Sequence, residues 1–408
     1  MRRLPVNLSL PLFLFWPFGS FLLALFNIKS KVSAVVYVLF STLFGYSFTF
    51  QSEGADSYRI ALVFRDYFQS TSFQGTIELF KEGGITDIYL KLSYVIFKQF
   101  TDNPRFLFAW FGFVFGIFSY LSLRYLLDFK FEKNTKMLFV ITLIFFSFYP
   151  LASVNGVRFN TAALIFFCSI INLFVYKKPI WLIGLFSTIL IHFSFIIVIP
   201  IIIGLLLLRP YFSSERKNYK WVYIVFFITL IASLVIPTNF FSIGFLQDSD
   251  LISNSVSRKF DMYNSDDASR LRADRLESSL FLNVSRYFDY IIKVFILLLV
   301  LSLKKHSKNL NLLREHRSFI FIVLLFMSFG FIASSVPSGI RFLSIGYMFF
   351  YYLFFQIFNR NRFKQFEKFI FFMPLVYSFR ILYAIVFLSI SLTDSVIWYG
   401  NFFWILFA

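Results

Sequence analysis

The sequence predicts an all-α polytopic membrane protein, built as a single integral-membrane domain over residues 1–408. Of the 408 residues, 58% are hydrophobic and 65 are phenylalanine, and the mean hydropathy is +0.73. A soluble domain of this length could not bury so much apolar surface. The apolar residues also form long runs, which predict about 11 or 12 transmembrane helices together with shorter re-entrant or interfacial helices.

Hydropathy places the membrane spans along most of the chain. They fall near 7–28, 32–50, 104–127, 137–152, 159–176, 180–208, 220–237, 288–303, 318–337, 341–358 and 369–392. The 180–208 segment is expected to contain two short helices. Pro11 and Pro17 lie within residues 7–28, and Pro5 lies just before them. A re-entrant or interfacial piece is therefore the alternative there to a full crossing.

The charges set the predicted orientation. The short segments between spans hold about half of the 39 lysines and arginines but few acidic residues, and the positive-inside rule makes such segments cytoplasmic. The two long segments, 51–103 and 238–287, hold most of the acidic residues and are therefore predicted to be outer loops. The formal net charge of +18 is then a topology signal, and nucleic acid is not an expected partner.

This orientation requires the 179–208 segment to enter and leave on the cytoplasmic side, because Lys177 and Lys178 precede it and Arg209 follows it. Thirty residues are too few for two full crossings, so the segment is predicted to form a hairpin that stops inside the bilayer. His192 lies close to the vertex. A hairpin there implies a cavity that opens outward with His192 near its floor, and a single long tilted helix is the alternative.

Arg158 is the first candidate site residue. It follows Asn155 and Gly156 within apolar sequence, and an arginine at bilayer depth costs about 2.5–3.5 kcal/mol on insertion scales. Such a residue faces a water-filled cavity or a charged partner. The sequence therefore predicts a cavity or an ion pair at Arg158.

The first outer loop begins with a polar motif that runs from Glu53 to Arg59. Residues 85–100 of the same loop read as an amphipathic interfacial helix, anchored by Tyr89, Tyr94 and Phe97. In the second outer loop, Asp248-Ser249-Asp250 could bind a metal ion or could be a solvated acidic face. The solvated face is preferred, so metal-independent activity is predicted, and loss of activity in a chelator would contradict it.

Two further arginines lie at or within late spans. Arg341 follows the short outer turn that starts at Pro337, and Arg380 lies deeper, inside the last long span. No internal repeat, phosphate-binding glycine loop or histidine pair with metal-ligand spacing is evident. An ATP-driven pump is therefore disfavoured.

Taken in order and spacing, these motifs resemble the EpsG family, the Wzy-like polymerases of bacterial exopolysaccharide and O-antigen. The motifs that carry the resemblance over roughly 32–358 are Gly54-Ala55-Asp56-Ser57-Tyr58, Asn155 to Arg158, Lys177-Lys178, Ile191-His192-Phe193-Ser194 and Arg341-Phe342. One departure is that the family's common Arg-Gln pair is Arg158-Phe159 here. A role for that glutamine is therefore not carried over.

The resemblance implies a membrane glycosyltransferase of GT-C-like, multi-span architecture in the bacterial plasma (inner) membrane, with its active site facing the periplasm. It would transfer a growing glycan from undecaprenyl pyrophosphate onto the next lipid-linked repeat unit, in O-antigen, capsule or exopolysaccharide synthesis. Donor and acceptor would be undecaprenyl-pyrophosphate-linked oligosaccharides in membrane lipid. A chain-length regulator and a flippase are candidate partners, and no cofactor is expected.

Such a reaction needs phosphate charge stabilised and one sugar hydroxyl activated. Arg158 and Arg341 are candidates for binding phosphate, with a structural ion pair as the alternative. Asp56 is a candidate base, although it could cap a helix or pair with Arg59. His192 could be a base, a donor to phosphate or a packed core histidine.

The remaining candidates belong to the substrate-binding side of the site. Glu53 competes with Asp56 for the role of base, and Arg380 could instead be a buried ion-pair partner or a snorkelling residue. The residues expected to contact substrate are Glu53, Tyr58, Arg59, Asn155 and Arg380.

Two other classes of protein would use similar residues. A transporter or flippase of polyprenyl-linked saccharides would also need arginines in a wide cavity, but it should offer access from both faces, often through repeated halves. A membrane acyltransferase would need a histidine in a span but not two arginines at the outer face. The absence of a repeat and the gathering of polar residues on one side favour the polymerase.

Overall fold

The structure is a computed structural model, and it describes residues 8–51, 53, 55–66, 73–81, 87–127, 135–208, 211, 220–236, 280–305, 317–336, 339–361 and 364–407. These residues are almost entirely helical. Within them, extended pairing is limited to an isolated antiparallel bridge between Phe48 and Thr393. The predicted all-α fold class is therefore confirmed.

The chain divides into two compact units, one formed by residues 1–195 with 381–408 and the other by residues 196–380. Helices of the first unit are α1 (Ser9–Phe15), α2 (Pro17–Phe26), α3 (Lys31–Tyr46), α4 (Asp56–Asp66), α5 (Phe73–Lys81), α6 (Ile88–Lys98), α7 (Pro104–Leu126), α8 (Thr135–Phe148), a 3₁₀ helix (Leu151–Gly156), α9 (Val157–Phe174) and α10 (Trp181–Ile191). The helices of the second unit are α11 (Phe195–Leu207), α12 (Lys220–Val235), α13 (Leu280–Lys305), α14 (Arg317–Ala333), α15 (Ile340–Asn361) and α16 (Lys364–Tyr383). Phe195 and residues 381–383, at the ends of α11 and α16, belong to the first unit. The chain then returns to the first unit through a π-helical segment (Ala384–Ile390), α17 (Val396–Tyr399) and α18 (Phe402–Phe407).

Four helical stretches in the described part are long and apolar enough to cross a membrane. They are Pro104–Leu126, Lys136–Phe174, Ile340–Phe358 and Phe366–Val386. Shorter apolar helices of 10–17 residues account for α2, α3, α10, α11, α12 and residues 318–333. The structure is thus that of a polytopic membrane protein, while the count of 11 or 12 spans stays a prediction.

The first unit is held together by close packing of α3 on α7. A side chain on Gly45 would overlap the carbonyl oxygen of Phe108, and one on Gly112 would overlap the carbonyl oxygen of Ser41. Gly116, one turn further along α7, lies against the Ser41 side chain. Small residues at four-residue spacing let helix backbones approach in lipid, where packing replaces the hydrophobic effect between helices.

Helix α9 is buried on nearly all sides within this unit. Pro150 lacks an amide hydrogen and restricts the residue before it, so α8 ends at Phe148 and a 3₁₀ helix follows. The Cys168 thiol is buried 3.3 Å from the hydroxyl of Ser122. A buried free cysteine of this kind packs as a small apolar side chain.

The predicted division of residues 180–208 into two short helices is confirmed. Helix α10 ends at Ile191 and α11 begins at Phe195, so His192 lies in the intervening turn. A similar break separates α1 from α2 at Trp16, where Pro17 begins the second helix. The alternative to a full crossing at 7–28 stays a prediction.

The second unit packs α12 against α14 and α14 against α15, with α13 beside α12. Phenylalanine pairs fill these interfaces: Phe226 lies 5.7 Å from Phe331, and Phe326 lies 5.7 Å from Phe349. Lys293 of α13 is buried, and its Nζ donates to the carbonyl of Ser233, 2.7 Å away. That carbonyl is in the last turn of α12, where helix carbonyls lack an intrahelical partner.

Several expectations need correction. The span predicted to begin at 288 starts at Leu280, so the last residues of the second outer loop are helical. The interfacial helix of the first loop is present as α6, but Tyr94 is buried against Phe64 rather than anchored at a surface. The helix packs on protein, since α6 contacts α5, α7 and α10. The last long span also ends in π-helical turns that the sequence analysis did not anticipate.

Candidate functional site

Two of the sequence motifs meet at the start of α4. The Asn155 side-chain oxygen accepts the backbone amide of Ser57, with 2.7 Å between the two atoms. This amide is in the first turn of α4, where amides have no intrahelical acceptor. Asn155 therefore ties the first outer loop to the segment that leads into Arg158.

Arg158 is the second residue of α9 and forms an ion pair with Asp87. Its Nη1 lies 2.5 Å from Asp87 Oδ2. The Asp87 side chain is only 5% exposed, whereas the Arg158 side chain is 37% exposed. The pair thus has a buried acidic side and a basic side that reaches an accessible surface of the first unit.

The other oxygen of Asp87 binds the turn that contains His192. The backbone amide of Phe193 donates to Asp87 Oδ1 over 2.8 Å. Within the turn, the Ser194 hydroxyl lies 2.7 Å from His192 Nδ1, and the Ser194 amide donates to the same nitrogen at 3.3 Å. One carboxylate therefore connects the start of α9 to the break after α10.

Aromatic side chains surround this cluster. The His192 ring meets the edge of the Phe159 ring, with 5.4 Å between ring centroids. Burial raises the pKa of the Tyr94 phenol in α6, and the nearby positive charge of Arg158 opposes that shift. The cluster is therefore partly shielded from water, which strengthens its electrostatic interactions.

Asp56 begins α4, and its carboxylate forms an ion pair with Arg59. This pair is exposed, with 39% of the Asp56 side chain and 66% of the Arg59 side chain accessible. Tyr58 is partly buried, and Glu53 lies in an exposed turn just before the helix. Pairing with Arg59 was one of the alternatives for Asp56, and the structure contains that pair.

Arg341 and Arg380 belong to the second unit. Arg341 is an exposed residue in the first turn of α15. Arg380 binds Asp289 through Nη2 at 2.6 Å and Nε at 3.2 Å, which matches the ion-pair alternative considered for it. A phosphate-binding role for both Arg158 and Arg341 stays a prediction, since these two arginines lie in different units.

Asp87 is the main site residue that the sequence analysis missed. A charged partner for Arg158 was one of two expectations, but 71 positions separate the two residues along the chain. The available signal was an acidic residue directly before the apolar run that begins at Ile88. Ser194 and Phe159 were also missed as contacts of His192.

A metal site is not indicated in the part of the chain that the structure describes, where no group of three His, Cys, Asp or Glu side chains could hold an ion. The acidic Asp248-Ser249-Asp250 motif lies outside the described residues, as do Gly54, Pro337 and most of the second outer loop. Metal-independent activity therefore stays a prediction.

The helical membrane fold and the cluster around Arg158 define a polytopic membrane protein with a charged polar centre inside its first unit. The sequence model of the EpsG family matches residues 32–401, so the chain belongs to the EpsG family. Comparisons with curated proteins and with solved structures gave no match. Family membership indicates a polysaccharide-polymerase type of function and a role in polysaccharide biosynthesis.

Proposed function

We propose that this protein is a glycosyltransferase that polymerises lipid-linked repeat units. It transfers the growing glycan from undecaprenyl pyrophosphate onto the non-reducing end of the next lipid-linked unit, at the outer face of the plasma membrane. The bond between the anomeric carbon and the diphosphate oxygen breaks, and a bond to the acceptor hydroxyl oxygen forms. The acceptor proton passes to a base, and undecaprenyl pyrophosphate leaves.

The observation that carries this proposal is the environment of Arg158. Among the described residues, its guanidinium donates to protein through Nη1 alone. Arginine carries five N–H donors in a planar fork, and two of them can bind a phosphate side by side. With the side chain 37% exposed, the remaining donors are suited to bind the diphosphate of the donor lipid.

The start of α9 adds to this electrostatic environment. Gly156 at the N-cap provides no side-chain acceptor for the first-turn amides. Unpaired amides and the helix dipole favour an anion at a helix N-terminus. The start of α9 and the Arg158 guanidinium therefore both favour an anion at this place.

This arrangement supplies what the reaction requires. The diphosphate leaves with developing negative charge, and donors already in place for that charge stabilise the transition state. Arg158 would provide such donors, and Arg341 would add a second cation. Positive charge from arginine is available without a metal ion, and we therefore expect elongation to continue in EDTA.

Two residues remain candidates for the base that activates the acceptor hydroxyl. His192 directly precedes Phe193, whose backbone amide donates to Asp87. Its ring contacts Phe159, the residue after Arg158. Asp56 lies next to Ser57, which Asn155 binds. We favour His192, because the Asp56 carboxylate already pairs with Arg59 in an exposed position.

The test uses full-length protein purified into lipid nanodiscs and supplied with lipid-linked repeat units. Wild-type protein should yield a ladder of lengthened products, and Arg158→Lys should lower the rate of lengthening by about 100-fold. Lysine keeps the charge that pairs with Asp87 but lacks the fork that grips phosphate. Arg65→Lys, an exposed arginine of α4, is the matched control and should retain the ladder.

The same protein reconstituted into sealed lipid vesicles tests the alternative functions. Movement of a fluorescent lipid-linked saccharide across the bilayer without any lengthening would indicate a flippase and contradict the proposal. A full ladder from both Arg158→Lys and Arg341→Ala would also contradict the role given to the arginines. His192→Gln and Asp56→Asn then identify the base, since only the variant that lacks it should lose turnover while still binding substrate.

A further inference from the structure

The carboxylate of Asp87 is attached to two parts of the proposed site at once. Oδ2 pairs with Arg158 and Oδ1 accepts the amide of Phe193, which directly follows His192. The partners lie 71 and 106 positions away along the chain. Asp87 therefore sets where two otherwise independent segments lie relative to each other within the first unit.

The position of Asp87 in α6 shows that these contacts replace a more local one. Asp87 is the N-cap residue of α6, yet its side chain makes no cap hydrogen bond to that helix. Aspartate at an N-cap normally accepts an amide of its own first turn and stabilises the helix. Here the oxygens bind Arg158 and Phe193 instead. Helix α6 therefore lacks the stabilising cap, and the carboxylate connects distant segments of the chain.

The connection also affects the charge balance at α9. Arg158 lies in the first turn of α9, where the helix dipole disfavours a cation. The buried carboxylate beside it offsets that cost and restricts the directions in which the long side chain can point. Because Asp87 accepts from Nη1, the N–H groups of Nε and Nη2 are the donors that are left for a ligand.

We propose that Asp87 is a positioning residue of the transfer reaction. It fixes the orientation of the Arg158 guanidinium toward the diphosphate, and it holds the His192 turn through the Phe193 amide. This inference rests on the proposed function for its effect on turnover. It makes separate claims about Arg158 and about the turn that do not depend on which reaction the protein catalyses.

Three substitutions separate these claims. Asp87→Asn keeps an oxygen that can accept from Phe193, but its amide hydrogens cannot pair with Arg158, so only the arginine is released. Asp87→Glu restores the charge on a longer side chain. Asp87→Ala removes both contacts. The matched control is Asp394→Asn in the same unit, because the Asp394 carboxylate accepts a backbone amide, that of Val396, at 3.0 Å.

The kinetic experiment measures elongation by full-length protein in nanodiscs. We expect Asp87→Asn to lower kcat/KM for the lipid-linked donor by about 10- to 100-fold. This is less than the roughly 100- to 1,000-fold for removing a transition-state donor outright, because the Arg158 guanidinium is still present. Asp87→Glu should recover a measurable part, and Asp394→Asn should remain close to wild type. The effects of Asp87→Asn and Arg158→Lys should overlap in the double variant, because residues that act as a unit are not additive.

Two measurements test the inference without using turnover. Phenylglyoxal should modify Arg158 a few-fold faster in Asp87→Asn than in wild type, with Arg65 as the internal reference read by mass spectrometry. Hydrogen exchange of the peptide around Phe193 should stay slow in Asp87→Asn and become faster in Asp87→Ala. If Asp87→Ala does not fold, the Asn and Glu variants still decide the outcome.

The inference is wrong if Arg158 labelling is unchanged in Asp87→Asn, or if the two single-variant effects on kcat/KM multiply in the double variant. It is also wrong if Asp394→Asn behaves like Asp87→Asn, since a general loss of fold would then explain both. A wild-type protein that makes no ladder would overturn the proposed function instead. In that case faster labelling of Arg158 in Asp87→Asn would still support the positioning role.

Discussion

Each unit of the molecule contains an arginine–aspartate pair that links two segments far apart in the chain, and these two pairs are built differently. In the first unit, Arg158 meets Asp87 through one nitrogen, and exposure is uneven, at 37% for the base and 5% for the acid. In the second unit, Arg380 meets Asp289 through two nitrogens, and both side chains are largely covered, at 19% and 23% exposed.

This difference separates two uses of the same residue types. Arg380 directs two donors to a single oxygen of Asp289, and the buried tyrosines Tyr347 of α15 and Tyr377 of α16 lie near its guanidinium. Such a pair joins α13 to α16, and its Coulomb energy is offset by desolvation. Arg158 uses only Nη1 to bind Asp87, and its other N–H donors can bind a ligand. Of these two pairs, the one in the first unit is therefore suited to ligand binding.

The largest effect on elongation is expected when the first-unit pair is replaced as a whole by apolar residues. Arg158→Met with Asp87→Leu should reduce elongation by about 1,000-fold, the upper range for losing a transition-state donor. Its free energy of unfolding should fall by about 1–3 kcal/mol. No buried charge is left unpaired, but the Phe193 amide loses the Asp87 oxygen to which it donates. Arg65→Met serves as the control, and a double variant that still forms long products would end the comparison.

Breaking the second-unit pair should change stability first. Arg380→Ala leaves Asp289 without its cation, and we expect a loss of about 3 kcal/mol, the lower end for breaking a buried pair. Arg380→Met with Asp289→Leu should recover most of that loss. Unfolding in detergent micelles measures both, and a single variant as stable as wild type would show that the pair does not join α13 to α16.

The sequence was informative about the fold because apolar length and proline position act locally. Residues 180–208 are too short for two crossings, and the structure breaks them at His192 as expected. Other features depended on tertiary contacts. Tyr94 has the pattern of an interfacial anchor, yet it is buried because α6 packs on protein, and the π-helical turns at 384–390 have no evident sequence signal.

The candidate site was predicted in part. Desolvation cost alone identifies Arg158 as a residue that needs a cavity or a partner. It does not identify the partner, because Asp87 lies far away in the chain, in a loop with several other acidic residues. The contact between Asn155 and Ser57 likewise joins two motifs that were recognised separately.

A smaller effect is expected at Asn155. Asn155→Ala removes the acceptor for the Ser57 amide and should destabilise the start of α4 by about 1 kcal/mol, as for other lost helix caps. Faster hydrogen exchange over residues 56–66 would report it. Asn155→Asp keeps an acceptor oxygen and should retain slow exchange, so equal exchange in the two variants would rule out capping as the role of Asn155.

The smallest effect on stability is expected for Arg59→Ala, and this makes it the sharpest test of the outer part of the site. The pair with Asp56 is exposed, and exposed ion pairs contribute about 0–1 kcal/mol, less at high salt. Unfolding should therefore change little. Any loss of elongation in Arg59→Ala must then arise from substrate binding or from a changed Asp56 carboxylate, and Asp56→Asn distinguishes these. If Arg59→Ala loses activity while Asp56→Asn keeps it, Arg59 contacts substrate directly. If neither variant loses activity, ligand binding in the first unit is confined to the Arg158 cluster.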